Sequence, residues 1–300
     1  MSQIVSPGKL MLTSEYFAID GALVLAVPTQ LGQEFFFEKE ANGQAIVVWE
    51  AYHQNKLWLN AKIKYTDWSI LETNLPESAA FIIKVLQNVQ KMSSEVFQSD
   101  ISYYLKTNLQ FPSDYGLGSS STLMANLGAW ANIDPFVLNE VSLGGSGYDI
   151  AVAQSKSAVL YQNKPIRQFE KLLYQPSFKD DLIFIHLNQK QDSREGIRLY
   201  KSKEKSLDLL AEFSALTGEI VQAKDLENFS DLMCVHEAKV SNFLGIPTAK
   251  EKYFQDCPSF IKSLGAWGGD FIMASKFDGY EDWFSHRGFP TIFSWSDLIY

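Results

Sequence analysis

Three hundred residues, 46% hydrophobic and 20% charged, suffice for one large core or two that share an interface, and exclude a disordered chain. A formal net charge of −9 argues against nucleic-acid or anionic-membrane partners, which need clustered Lys and Arg, although backbone N–H groups and one or two basic side chains can still hold a phosphate ligand. Cys234 and Cys257 allow no disulfide framework and form no CxxC pair, so a reducing, cytoplasmic setting is expected.

In chain order, a motif begins within a few residues of Met1, leaving no room for a signal peptide. Apolar runs at 4–12 and 22–27 flank a turn, and Ala22–Val27 is too short to span a bilayer. Glu34–Phe37, Ala45–Glu50 and Lys56–Ile63 are rich in aromatic and β-branched residues and predict strands. From 77 to 91, Ala79, Ile82, Ile83, Leu86 and Val89 recur at helical spacing behind Pro76, which predicts an amphipathic helix. Ile101–Leu109 alternates as a strand does. The Gly/Ser segment Pro112–Ser121 leads into a helix over Thr122–Ala131, a break at Asn132–Pro135, a second short helix and the glycine cluster Gly144–Gly147. Strands are predicted at Ala158–Tyr161 and Leu182–Leu187, then helices at about 203–224 and 229–243. A last glycine cluster, Gly265–Gly269, precedes the strand Phe271–Ser275. The lysine-rich run Tyr200–Lys205 reads as a solvated helix start. Strands first, then mixed helices and strands, predict an α+β chain with a boundary in Asn163–Phe169.

Four segments carry chemistry-bearing residues. Pro112-Ser113-Asp114-Tyr115-Gly116-Leu117-Gly118-Ser119-Ser120-Ser121 lies between a strand and a helix. Its glycines let backbone N–H groups approach an anion, the helix N-terminus adds free donors, and the serines offer hydroxyls to phosphate or Mg²⁺. The alternative is a Ser-capped loop. No Walker sequence and no G-x-G-x-x-G opening a βαβ unit occurs. In Pro7-Gly8-Lys9-Leu10 to Glu15-Tyr16, two charges stand inside an apolar stretch, where a buried lysine needs a partner and an exposed one is only a solvated strand start. Gly144-Gly145-Ser146-Gly147-Tyr148-Asp149 places a carboxylate after a glycine turn, either to accept or hold a hydroxyl proton or as a plain turn aspartate. Gly265-Ala266-Trp267-Gly268-Gly269-Asp270 is a second anion-type loop or a tight turn. His236-Glu237 lacks the spacing of a zinc site.

Together these segments resemble the GHMP kinase superfamily, whose three ordered motifs are an N-terminal P-G-K segment, a central P-x-x-x-G-L-G-S-S loop and a C-terminal glycine-rich segment. The resemblance runs from about residue 5 to 275. It implies a two-domain α+β fold, with an ATP-binding domain over 1–165, a ferredoxin-like α+β domain over 166–300 and the active site between them. By position, Lys9 and Asp149 would be the catalytic pair. Pro112, Gly116, Leu117, Gly118, Ser119, Ser120 and Ser121 would cradle ATP. Ser120, with Glu140 as the available carboxylate, would hold Mg²⁺. Glu15, Tyr16, Ser146, Gly147, Lys190, Ser193, Arg194, Gly265, Gly268 and Gly269 would line the substrate. Ser14-Glu15-Tyr16, Ser146-Gly147-Tyr148-Asp149 and Gly268-Gly269-Asp270 look more like phosphomevalonate kinases than mevalonate kinases. The resemblance thus implies a mevalonate-pathway kinase in isoprenoid biosynthesis, acting on a small molecule as monomer or homodimer.

The chain departs from the pattern in two ways. Tyr115 and Trp267 stand where small residues are usual and would narrow the phosphate path or stack on a ligand. The connection before Asp149 is short and leaves Glu140 poorly spaced as a metal ligand. These departures support a non-catalytic nucleotide- or metabolite-binding homologue; the presence of both Lys9 and Asp149 opposes it.

Overall fold

The computed structural model of the chain describes residues 1–188, 193–265, 267 and 269–300, residues 193 and 194 by backbone alone. Two compact units interleave along the sequence. One comprises Met1–Gly8, Leu31–Ser113 and Leu117–Gln154, the other Lys9–Gln30, Asp114–Gly116 and Ser155–Tyr300.

In the first unit, the first part of β1 (Ser2–Met11), the second half of β2 (Val24–Glu40), β3 (Ile46–His53), β4 (Lys56–Lys64) and β5 (Ser69–Thr73) precede α1 (Pro76–Met92). β6 (Ser102–Leu109), α2 (Ser119–Ala131), α3 (Pro135–Ser142) and α4 (Tyr148–Ser155) complete it. The strands run in the order β5–β4–β3–β6–β2, with β1 also on β2. β3 and β6 are parallel and the remaining registered pairs in this unit antiparallel. Val47, Trp49 and Ala51 alternate inward on β3, as the strand period requires. Gly32 is dictated by close approach, because a Cβ there would sit 2.2 Å from the Ser6 carbonyl oxygen.

α2 is buried on nearly all sides, so its polar residues must be satisfied inside. Asn126 accepts from Ser6 Oγ at 2.8 Å and donates to the Gln33 carbonyl at 3.1 Å. Thr122 Oγ1 bonds the Gln33 side chain at 3.1 Å. Replacing Asn126 by Leu would orphan these partners at about 1–3 kcal/mol each. Asp134 caps α3 through the Phe136 N–H at 2.8 Å, behind Pro135 at the first helical position.

The second unit adds β7 (Ala158–Gln162) and β8 (Gln168–Leu172), which extend from Val24–Ala26 of β2. β9 (Leu182–His186), α5 (Ser193–Lys201), α6 (Leu207–Gln222), α7 (Leu226–Leu244) and α8 (Ala249–Tyr253) follow. Then come β10 (Lys262–Leu264), β11 (Phe271–Ser275), α9 (Tyr280–His286), β12 (Ile292–Ser294) and α10 (Trp295–Leu298). Its antiparallel sheet has the order β10–β11–β9–β12. With the helices, this is the α+β layout expected.

The helix expected to start in Tyr200–Lys205 does not start there. That run closes α5, and α6 begins only after Ser206, whose hydroxyl accepts from the Leu209 N–H. Lys205 turns back to Asp20 at 3.7 Å and over the Tyr200 ring at 4.4 Å, so a tertiary ion pair replaces the solvated helix start. Asp225 caps α7, which begins at Leu226, three residues before the expected start. Among the described residues no helix is long and apolar enough to cross a membrane.

Candidate functional site

The phosphate-type loop is built as its glycines predict. Gly116 (φ 66°) and Gly118 (φ 84°) hold left-handed backbone. Gly118 is the N-cap of α2 and has no side chain with which to cap it. The first-turn N–H groups of this 13-residue helix are therefore not capped by the N-cap side chain, the condition under which a helix N-terminus can take an anion. Leu117 is buried and anchors the turn, and Pro112 is half-buried before it. Ser121 Oγ donates back to the Gly118 carbonyl at 2.9 Å and is buried. Ser119 and Ser120 are half-buried and exposed.

Ser119 and Ser120 form one wall of a cleft of about 400 Å³ in the first unit. Trp49, Tyr52, His53, Trp58 and Phe81 supply its aromatic walls and Glu77 a carboxylate. Local sequence aims these rings. Gln54 and Asn55, both left-handed (φ 49° and 65°), make a two-residue hairpin turn between β3 and β4. The turn is held by Gln54 N–H on the Leu109 carbonyl and Asn55 N–H on Asn108 Oδ1. The register then slips: Ala51 faces Leu59 and Tyr52 faces Leu57, leaving Trp58 as the bulge residue. Its ring stacks on His53, centroids 4.8 Å apart. Sequence reasoning missed this cleft. The available signal was four aromatic rings around a Gln-Asn pair, without the Asn-Gly that marks such turns.

The second unit holds Lys9, Gly116, Gly265 and Asp270. Lys9 is half-buried and its Nζ donates to the Gly116 carbonyl at 2.9 Å. Asp270 (φ 57°) turns its carboxylate onto Gly116, where a Cβ would lie 2.2 Å from Oδ2; the same oxygen is 3.7 Å from a Cβ position on Gly265. Gly269 is buried beside it. Tyr16 Oη accepts from the Trp267 backbone N–H at 3.0 Å and lies where a Cβ on Gly196 of α5 would stand.

The two bulky departures both make packing contacts. Trp267 is 4% exposed, and its Nε1 donates to Ser263 Oγ at 2.8 Å. Tyr115 packs on His186 at 4.5 Å and edge-on to Phe271 at 5.4 Å.

Glu15 is enclosed. Its Oε1 accepts from Lys262 Nζ, which also lies 3.6 Å from Glu237 Oε2. Burial pushes the Glu15 carboxyl up to about 7 against the pull of Lys262, and burial likewise raises Glu237. Burial, reinforced by Lys262, holds His236 well below its ordinary range and so neutral. His236 Nε2 accepts from the Ser14 N–H at 2.7 Å, which puts the ring proton on Nδ1, 3.7 Å from Glu15 Oε2. Ser14 (φ 61°) and Tyr16 (φ 67°) are both left-handed without being glycine, a strain of roughly 1–3 kcal/mol each that only the surroundings can sustain.

In the first unit, Ser146 and Gly147 (φ 89°) lead into α4, and the Gly147 carbonyl accepts from Ala151 N–H at 3.2 Å. Asp149 stands half-exposed in the first turn of α4. Glu140 is exposed on α3 and does not line the cleft. Ser193 and Arg194 begin α5, with their side chains undescribed, and Lys190 and Gly268 lie outside the described residues. Among the described residues no group of three or more His, Cys, Asp or Glu is placed to hold a metal. Hydroxyl oxygens at the α2 N-terminus do suit Mg²⁺ carried by a nucleotide, since that ion keeps few protein ligands.

No protein-family model matches the chain, and no curated protein matches it. Solved structures do. The phosphomevalonate kinase of Streptococcus pneumoniae, in complex with phosphomevalonate and AMPPNP, shares 16% identity over 98% of this chain and 100% of its own, with a TM-score of 0.71. The mevalonate kinase of Methanococcus jannaschii shares 15% over 97% and 96%, TM-score 0.68. The galactokinase of Lactococcus lactis, complexed with galactose, shares 12% over 97% and 92%, TM-score 0.66. At these identities the likeness shows the fold alone: the chain has the two-domain fold of the GHMP kinases.

Proposed function

We propose that this chain is an ATP-dependent small-molecule kinase whose preferred acceptor is phosphomevalonate. The observation that carries the reading is the uncapped N-terminus of α2, with Ser119 and Ser120 opening onto an aromatic cleft of about 400 Å³. Free N–H donors suit phosphates, and stacked rings suit a base. The base would lie against Trp58 and His53, with the phosphates on Gly116–Ser120. Mg²⁺, held by Ser120 and phosphate oxygens, would neutralise charge on the β- and γ-phosphates.

In the transfer, the acceptor oxygen bonds the γ-phosphorus as the bond to the β–γ bridging oxygen breaks, and ADP leaves. A hydroxyl acceptor gives its proton to the Asp149 carboxylate; a phosphate acceptor has none to give, and Asp149 then orients it. The Lys9 ammonium, fixed on the Gly116 carbonyl, stabilises charge on the moving phosphoryl group. Tyr16, Ser146 and Asp270 support phosphomevalonate because they match the kinases of that acceptor. Mevalonate is the second reading, supported by likeness to mevalonate kinases at 15% identity. A coupled ADP-release assay separates them: turnover with phosphomevalonate is expected, and turnover with mevalonate alone reverses the order.

A further inference from the structure

We infer that Glu15 is a positioning residue, acting with Lys262 and Glu237 to hold the glycine loop after β10, and that it does not touch the substrate. The inference rests on the kinase reading for its kinetic consequence. The resemblance of Glu15-Tyr16 to a family motif implies substrate contact for Glu15; the geometry points elsewhere. Glu15 is 3% exposed, Lys262 1%, Glu237 3% and His236 0%. At that degree of enclosure the Glu15 oxygens lie against Lys262 and His236.

The connections run inward instead. Lys262 is a single cation shared by two buried carboxylates, Glu15 and Glu237. Glu237 accepts from both Ser263 N–H (3.1 Å) and Ser263 Oγ (2.7 Å), and Ser263 Oγ accepts in turn from Trp267 Nε1 (2.8 Å). Trp267 also lies 3.4 Å from Glu237 through the same nitrogen. From the other side, His236 holds the Ser14 N–H, and Tyr16 holds the Trp267 N–H. Glu15 thus stands between two left-handed residues, each tied to an element that the ion unit also anchors. The loop bearing Trp267 is gripped twice, at its indole by Ser263 and Glu237 and at its backbone by Tyr16. Replacing either carboxyl by an amide changes what Lys262 can bridge and loosens both grips.

Three variants test this: Glu15→Gln, Glu237→Gln and Tyr16→Phe. Amide exchange is followed in the peptide spanning 262–271, alongside kcat and the acceptor KM. Positioning predicts that the two glutamine variants behave alike, although the residues are far apart in sequence. Exchange in 262–271 should quicken by about tenfold and kcat fall by a similar factor, with the acceptor KM unchanged. Unchanged exchange, or a rise in acceptor KM confined to Glu15→Gln, overturns the inference. If the glutamine variants do not fold, Tyr16→Phe decides, because it removes only the hydroxyl on which Trp267 N–H donates; normal exchange there is the refuting result. Exchange does not depend on turnover, so a chain inactive with every acceptor would sink the kinase reading and leave this one decidable.

Discussion

Asp270 Oδ2 lies 2.2 Å from the point where a Cβ on Gly116 would be, so the carboxylate occupies the volume that glycine leaves open. Gly116→Ala would add that clash to a left-handed φ of 66°. Strain of that kind costs roughly 1–3 kcal/mol, and relief requires Asp270 or the loop to move. A melting temperature lowered by several degrees and a raised KM for ATP are the expected results. Wild-type values for both would show that the loop yields freely.

The Trp58–His53 stack predicts where the base binds. Base–aromatic stacking is worth about 1–3 kcal/mol per ring. Trp58→Ala should therefore weaken ATP-analogue binding by roughly tenfold or more in calorimetry, with little effect on the acceptor KM. Unchanged affinity would place the base elsewhere.

Asp149 is half-exposed in the first turn of a short helix, so its removal should leave the core intact. Asp149→Asn is expected to keep the circular dichroism spectrum and ATP affinity while lowering kcat by about a hundredfold or more. Undiminished kcat would remove it from the chemistry.

Glu15 and His236 predict opposite responses to pH. The Glu15 carboxyl rises from 4.5 to about 7 on folding, so between those values the native state holds a proton that the unfolded chain has lost. Its contribution to stability is greatest at low pH and falls as pH rises to about 7, by roughly 3 kcal/mol at most. His236 is kept neutral in the fold, so it costs stability as pH drops through the ordinary histidine range. In urea unfolding, Glu15→Gln should gain stability relative to the wild type between about pH 5 and pH 7. A difference independent of pH would mean that Glu15 does not exchange its proton there.

What the sequence revealed follows from range. Gly116, Gly118 and Ser119–Ser121 were legible because backbone requirements at a helix N-terminus are met by neighbouring residues. The cleft was not, because the Trp58 bulge depends on how β3 and β4 pair, and pairing is a tertiary choice. The ion unit was hidden for a similar reason: Glu15 and Lys262 are 247 positions apart, so Glu15 reads only as a charge inside an apolar stretch, with no sign that Lys262 is its partner. Trp267 read as a ring that narrows the phosphate path or stacks on a ligand, because its partner Ser263 carries no signal in isolation. The helix break after Lys201 was lost because Lys205 pairs with Asp20, far back in the chain.

The most direct test is phosphorus NMR of the chain with ATP, Mg²⁺ and phosphomevalonate. Loss of the ATP γ resonance, appearance of ADP and a shifted acceptor phosphorus signal are the predicted result. ATP and acceptor spectra that stay unaltered, while calorimetry shows the nucleotide bound, would contradict phosphoryl transfer and leave a binding protein.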